Sequence, residues 1–359
     1  MPAILLAVTG TDPQPWAEAL QALAPQRDIR LWPERLGESA DVAYLCAWHP
    51  PRGLFAHLPR LQAIFSLGAG VEHILVDPGL PDVPVVRNVE PDLIVRMTEY
   101  VVLHVLLHHR RQRLYDIQQR ERVWREHAQP VASAVAVGVM GLGELGAAAA
   151  VALARLDFRV AGFSRTPKAL AGIECFHGEH GLEAFLRRTE ILVCLLPVTP
   201  ATQGLLDLKL LRKLKRDGAL GGAYLINAAR GALQVEADIL AALDEGALAG
   251  ATLDVFRREP LPAASPLWRH PKVTITPHNA ATSDPRAFAA NVLRQIDRFE
   301  KGLSFEHVVD RYDQPRQSKT DHGAVDAAVN QFRPILAHCV TGNGAERQKQ
   351  NAYDPQRHR

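Results

Sequence analysis

Residues 135–156 read "VAVGVMGLGELGAAAAVALARL". An apolar run, Val135 to Met140, is followed without a break by Gly141, Leu142, Gly143, Glu144, Leu145 and Gly146, and then by an alanine-rich stretch. The run predicts a buried strand and the alanines predict a helix, so the GxGxxG pattern sits in the strand–turn–helix context its mechanism needs. Gly141 permits the tight turn, Gly143 lets the backbone approach a pyrophosphate, and Gly146 lets the helix lie close to the sheet. The helix N-terminus then offers free N–H groups and partial positive charge to phosphate. Dinucleotide binding is the reading this stretch supports.

The next apolar run is "FRVAGFSRTPK", residues 158–168. A strand here ends where the adenosine ribose of a bound dinucleotide would lie. An enzyme selective for NAD carries an acid at that point, about 20 residues past the glycine turn. This chain has Ser164 and Arg165 instead, with Lys168 one turn on. A carboxylate would repel a 2′-phosphate, whereas a hydroxyl and two cations would bind it. The expected cofactor is NADPH, with NADH as the weaker alternative.

Similar runs recur on both sides. "AILLAV", "IRLW", "VAYLCAW", "LQAIFSL" and "VPVVRN" precede the glycine turn. "ILVCLLP", "AYLINAA", "GATLDVF" and "VTITPH" follow it. Continuous apolar runs separated by helical patterns predict parallel strands covered on both faces. The expected fold is α/β, with two doubly wound parallel-sheet domains, one flavodoxin-like and one Rossmann-type. The segment from Thr98 to Arg120 lacks Gly and Pro and predicts one long helix, capped by Thr98, joining the two. A helix from Pro285 would return to the first domain. The expected boundaries are 1–98 for the first segment of the substrate-binding domain, 99–284 for the dinucleotide domain, and 285–312 for the returning helix. Residues 313–359, rich in Gln, Asn and charge, predict a polar, disordered tail.

Composition narrows the class further. The chain has 359 residues, 47% of them hydrophobic, which suits two domains. A net charge of +2 gives no support for a nucleic-acid partner. Cys46 and Cys194 lie in apolar runs and read as buried thiols, with Cys175 and Cys339 far from both. A reducing compartment fits these scattered thiols. The N-terminus carries no basic segment ahead of a long apolar run, so a soluble, cytoplasmic protein without membrane attachment is expected.

The later strands end in polar residues. Arg230 follows "LINAA", Asp254 ends "GATLD" with Glu259 in the loop beyond, and His278 follows "VTITP". In such folds ligands sit at the carboxyl ends of the strands. Arginine can grip a carboxylate bidentately, and histidine can give a proton to a carbonyl oxygen as hydride reaches the carbon. A neighbouring carboxylate orients that imidazole and favours its charged form. The three together, beside a glycine turn, suit reduction of a small 2-keto acid. The histidine groups His108–His109 and Cys175–His177–His180 lack the spacing of a zinc site, and no metal is expected.

These features resemble the D-2-hydroxyacid dehydrogenase family, and within it the glyoxylate/hydroxypyruvate reductase A group. The resemblance covers about residues 1–312. It rests on "SLGAGVEH", "MTEYVVLHVL", "GVMGLGELG", "LLPVTPATQGLL", "LINAARG", "LDVFRREPLP" and "SPLWRHPKVTITPHNAA". It implies Arg230, Glu259 and His278 as the catalytic set. It implies Leu67, Gly68, Ala69 and Gly70 as a loop whose N–H groups hold the substrate carboxylate, and Trp48 as a residue that narrows the pocket. It places Thr98, Leu196, Pro197, Ala228, Ala229, Asp254 and His278 around the nicotinamide. It further implies a homodimer, with the helix from Thr98 to about Leu107 at the contact. The implied activity is NADPH-dependent reduction of glyoxylate and hydroxypyruvate. Two alternatives stay open: a reductase of a larger 2-keto acid, and a dinucleotide-sensing scaffold like a corepressor on the same fold.

Overall fold

Leucine, isoleucine and valine runs of four to seven residues become strands because such side chains pack on a pleated surface covered from both sides. A computed structural model of the chain describes residues 1–310. The expected tail at 313–359, and Cys339 within it, lie outside the described residues.

The first group of strands is β1 (Ala3–Val8), β2 (Ile29–Leu31), β3 (Val42–Trp48), β4 (Ala63–Ser66) and β5 (Val85–Val86). They form a parallel sheet in the order β2-β1-β3-β4-β5. That is the flavodoxin-like order, with its topological switch between β1 and β3. The second group is β6 (Ala136–Met140), β7 (Arg159–Ser164), β8 (Glu174–His177), β9 (Ile191–Cys194), β10 (Tyr224–Asn227), β11 (Gly250–Leu253) and β12 (Val273–Ile275). These pair in parallel as β12-β11-β10-β9-β6-β7-β8, the Rossmann order extended by one strand. The chain thus has the α/β, two-domain architecture its strand pattern predicts.

Strand β8 was not foreseen. "ECFH" is short, has polar residues at both ends and lies at the sheet edge, so it lacks the apolar run of a central strand. It carries Cys175 and His177, which are edge-strand residues next to β7.

Helices cover the faces: α1 (Gln14–Leu23), α2 (Glu72–Leu75), α3 (Pro91–His109), α4 (Gln112–Glu121), α5 (Glu144–Arg155), α6 (Gly178–Arg187), α7 (Leu208–Leu211), α8 (Glu236–Asp244) and α9 (Pro285–Glu300). Two expectations about α3 need correction. It starts at Pro91, and its cap is Glu90, whose carboxylate accepts from the N–H groups of Asp92 (2.7 Å) and Leu93 (3.1 Å). Thr98 lies inside the helix, and its hydroxyl donates to the Ile94 carbonyl at 2.8 Å. Proline favours the first helical turn, and the acid before it was the overlooked start signal. The helix also breaks before α4, with Arg111 in the left-handed region at φ 55°. Nothing in "HHRRQR" marks that break. The residues His108 and His109 are buried on α3: His108 Nε2 pairs with the Thr252 hydroxyl at 3.0 Å, and His109 packs edge-on to Phe158. The helix runs unbroken across residue 98.

Period-two burial places alternate residues of β1 in different cores. Ile4, Leu6 and Val8 face α1 and α9, while Ala3, Leu5 and Ala7 face the opposite side with Phe55 and Ile74. Residues Phe288, Ala289, Val292 and Ile296 of α9 complete the first of these layers, so the chain does return to its first sheet. Arg27 binds Glu300 bidentately at 2.9 and 2.6 Å, locking the end of α9 beside β2. Cys46 and Cys194 are fully buried, as their runs predict. No helix among the described residues is long and apolar enough to cross a membrane.

Phe288 is fully buried and meets Trp16 of α1 edge-on at 5.2 Å. Phe288→Ala should therefore cost about 3–5 kcal/mol by urea unfolding. A loss below about 1 kcal/mol would show that α9 adds little to the first layer.

Candidate active site

The carboxyl ends of both sheets carry the polar residues. In the second sheet, β6 ends at Met140 and the chain turns at Gly141, whose φ is 108°. A Cβ there would lie 2.6 Å from the Leu195 carbonyl oxygen, so the loops after β6 and β9 touch through a glycine. A Cβ on Gly146 would lie 1.8 Å from the Gly141 oxygen, which is why α5 can begin hard against the turn. Gly143 faces open space. The residue before α5 is thus backbone alone, next to the unpaired N–H groups of the helix start. Glu144 and Leu145 form the first turn of α5. Leu142 is buried against Gly162 of β7 and belongs to the core. These features fit a dinucleotide pyrophosphate.

Ser164 ends β7 and is buried, with its hydroxyl donating to the Thr166 carbonyl at 2.7 Å. That proton is engaged within the turn, so Ser164 shapes the loop that carries Arg165 and Lys168. Both of these cations are exposed at the strand end. Leu196 and Pro197 follow β9. Ala228 and Ala229 follow β10 and are buried.

Arg230 comes next. Its loop is held from below by Asn227, which donates to Gln234 Oε1 at 2.8 Å and accepts from the Ala229 N–H at 3.1 Å. Arg230 Nη1 donates to the Ala229 carbonyl at 2.7 Å, and Nε faces Glu72 of α2 at 3.4 Å. A Cβ on Gly70 would lie 1.7 Å from Arg230 Nη2. The guanidinium from the second sheet therefore rests on the loop after β4 of the first. In that loop the Leu67 N–H donates to the Ala47 carbonyl at 3.2 Å, and its side chain is buried. Leu67 continues the sheet pairing and is not available to hold an anion. The Gly68 N–H is engaged as well, donating to the Ser66 hydroxyl at 3.3 Å, whereas those of Ala69 and Gly70 donate to no group among the described residues. The indole of Trp48 lies over Gly68, where a Cβ would be 2.9 Å from Cζ3.

His278 Nδ1 and Glu259 Oε2 are 2.7 Å apart, and Glu259 Oε1 accepts from the Phe256 N–H at 2.9 Å. Burial alone would raise the Glu259 carboxyl. The hydrogen bonds from His278 and Phe256, with the charges of His278 and Arg230, outweigh burial and hold it below its ordinary value of 4.5. His278 has φ 53°, a left-handed conformation that projects it from the turn. Asp254, 1% exposed, sits beneath that turn. Its carboxylate accepts from the Thr276 hydroxyl (2.6 Å) and from the N–H groups of Asn279 and Ala280 (3.0 Å each). Both oxygens are thus occupied in shaping the turn that bears His278. Because Thr276 donates to Asp254, the Tyr100 hydroxyl 2.7 Å away must donate to Thr276, which ties α3 to the same turn.

This arrangement of an arginine over a glycine-rich loop, an imidazole–carboxylate pair and a glycine turn agrees with similarity to known proteins. Residues 102–280 match the family model described as D-isomer specific 2-hydroxyacid dehydrogenase, NAD binding domain. The chain is 40% identical over 301 residues to glyoxylate/hydroxypyruvate reductase A of Yersinia enterocolitica, covering 82% of this chain and 94% of that one. The chain belongs to the D-isomer specific 2-hydroxyacid dehydrogenases. Among solved members of the family, it superposes with a TM-score of 0.82 on an NADPH-dependent glyoxylate/hydroxypyruvate reductase from Sinorhizobium meliloti, in complex with NADP and sulfate. The identity is 44%, covering 87% of this chain and 99% of that one. A probable 2-hydroxyacid dehydrogenase from Rhizobium etli, in complex with NADP, HEPES and L(+)-tartaric acid, gives a TM-score of 0.83 at 44% identity, covering 86% and 98%.

In this dehydrogenase the sequence pointed to Arg230, Glu259, His278, Trp48 and the Gly68–Gly70 loop, and the fold sets Arg230 on Gly70, Trp48 over Gly68 and His278 against Glu259. It did not point to Glu72, His49, His73, Tyr100 or Thr276. Glu72 stands two residues after Gly70 in "GAGVEH", so an acid beside the anion loop was the available signal.

The Glu259 carboxyl of the folded enzyme titrates below that of the unfolded chain. Its pairing is therefore fully present above about pH 4.5 and is lost as pH falls through the lowered folded value. Glu259→Gln should flatten this acid limb of the stability–pH curve measured by denaturant unfolding. A limb identical to the parent's would show that the pairing contributes nothing to stability.

Proposed function

We propose that the chain is an NADPH-dependent reductase of glyoxylate and hydroxypyruvate, giving glycolate and D-glycerate. The observation that carries this reading is the convergence of Arg230, from one sheet, on Gly70, from the other, beside the His278–Glu259 pair. It provides a carboxylate grip and a proton donor in one cleft. The two relatives described above as reductases act, by name, on these two acids.

The substrate carboxylate is held by the N–H groups of Ala69 and Gly70 and by Nη2 of the Arg230 guanidinium. Arg230 also polarises the adjacent carbonyl. When bound, NADPH supplies the hydride that adds to the keto carbon. His278 gives its proton to the carbonyl oxygen, and Glu259 keeps the imidazole in the tautomer and orientation that make this possible. Trp48 limits the space beside the anion loop and favours small acids. When the cofactor is bound, Gly141, Gly143 and Gly146 would cradle the pyrophosphate and Arg165 with Lys168 would meet the 2′-phosphate. Thr98, Leu196, Pro197, Ala228 and Ala229 would lie around the nicotinamide, with Asp254 acting from beneath through the turn it organises. Residues 1–98 and 285–310 form the substrate-binding part and 99–284 the dinucleotide part, the expected end of the first part at 312 lying outside the described residues. The homodimer would be built on α3, where Leu103 is exposed. A cytoplasmic setting suits the buried thiols of Cys46 and Cys194.

Loss of NADPH absorbance on adding glyoxylate or hydroxypyruvate is the direct test, and its absence would overturn the reading in favour of a dinucleotide-sensing scaffold. His278→Ala should lower kcat by about 10²–10⁴. The NADPH dissociation constant, measured by fluorescence, should stay near the parent's. Retained turnover would mean that another group supplies the proton.

Cofactor choice is tested separately. Arg165→Ala should weaken NADPH binding by about tenfold or more while leaving NADH binding little changed, since one charge-assisted bond to a phosphate is removed. Equal losses for both cofactors would place Arg165 away from the 2′-phosphate.

A further inference from the structure

A 2-keto acid presents three groups around its reacting carbon: the carboxylate, the carbonyl oxygen and one further substituent. Arg230 with the Gly68–Gly70 loop takes the first, and His278 takes the second. The third is hydrogen in glyoxylate and a hydroxymethyl group in hydroxypyruvate. Trp48 restricts its size, and its indole brings one N–H donor but no acceptor for the hydroxyl proton.

His49 follows Trp48 at the carboxyl end of β3. It adopts φ 46°, a left-handed conformation that non-glycine residues seldom take. The Thr9 hydroxyl donates to its carbonyl at 2.6 Å, and the Thr9 N–H donates to the Trp48 carbonyl at 2.9 Å, so the end of β1 holds this bend in place. The His49 ring is 4.8 Å from His73 and 5.1 Å from Trp48, and His73 lies 4.6 Å from Trp48. Three rings thus form one wall standing on the anion loop at Gly68. Within that wall His73 is the inner member, its Nε2 buried without a partner. His49 is the outer, exposed member. Burial, and then the charge of Arg230, hold His49 below its ordinary range, with Glu72, His278 and Glu259 also acting on it. Its ring therefore lies in the field of both the carboxylate clamp and the proton donor. A neutral imidazole offers one N–H and one acceptor nitrogen, the pair of functions a hydroxyl can meet.

Resting on the reading of the chain as a 2-keto acid reductase, we propose that His49 is the specificity-determining residue that hydrogen-bonds the C3 hydroxyl of hydroxypyruvate. The three-ring wall fixes the imidazole beside the anion loop. The residue thereby separates hydroxymethyl from methyl acids, a discrimination that volume alone provides poorly. Its partners Trp48 and His73 position it and do not touch the hydroxyl.

The test compares kcat/KM for hydroxypyruvate, pyruvate and glyoxylate with NADPH in the parent, His49→Phe and His49→Asn. The phenyl ring keeps the stacking and removes both nitrogens. Asparagine tolerates the left-handed backbone and shortens the side chain. In both variants the ratio of hydroxypyruvate to glyoxylate, and of hydroxypyruvate to pyruvate, should fall by roughly tenfold, the net worth of about one hydrogen bond. Any loss shared by all three acids leaves these ratios unaffected. Ratios within about twofold of the parent's in both variants, when the parent is active on glyoxylate, would overturn the role of His49 and leave the reductase reading intact. A parent inactive on all three acids would overturn both.

Discussion

Arg230 and Gly70 approach so closely that no side chain fits between them. A guanidinium extended from the loop after β10 lies on the backbone of the loop after β4, and a Cβ at Gly70 would be 1.7 Å from its Nη2. That contact requires the carboxyl ends of two separate parallel sheets to face each other. It also requires a short loop after β4 and an arginine loop that does not sag. Asn227 and Gln234 meet the last requirement by bonding across the base of the loop. The pairing of Arg230 Nε with Glu72 adds a link between the two sheets on the same line.

Around that contact, buried polar groups act as spacers. Asp254 uses three acceptor bonds to bend residues 276–280, and the bend turns His278 toward Glu259. Tyr100 extends the chain of bonds to α3. A carboxylate that is 1% exposed and fully hydrogen-bonded keeps its shape better than a solvated one. The chemistry at the surface of the cleft thus depends on residues that never meet the substrate.

Strand-end residues were legible because the physics that buries a parallel strand also exposes its carboxyl end. The run before Arg230 was apolar, and the one before His278 set Val273 and Ile275 in strand alternation with threonines, so the polar residue beyond each had to lie at the rim. Strand β8 was not legible, because an edge strand carries little burial and "ECFH" has only two partly buried residues between two exposed ones. The start of α3 was misread at Thr98, since threonine is a common cap, while Glu90 sat before a proline and a further acid. Asp254 was read as a wall of the pocket when its two oxygens turn inward. Long-range pairings such as Tyr100 with Thr276 leave no local pattern. His49 and His73, 24 positions apart, become neighbours only through the crossover between β3 and α2.

The return of α9 to the first sheet bears on the order of events during synthesis. The face of β1 and β3 that carries Ile4, Leu6 and Tyr44 is closed by Phe288, Val292 and Ile296. At translation rates of roughly 5–20 residues per second, the covering helix emerges some tens of seconds after β1. The stretch from β6 to β12 is contiguous and meets no such delay. The nascent chain therefore carries an open apolar sheet at its leading end while its later half is already able to close, and the first sheet is the part that needs protection on the ribosome.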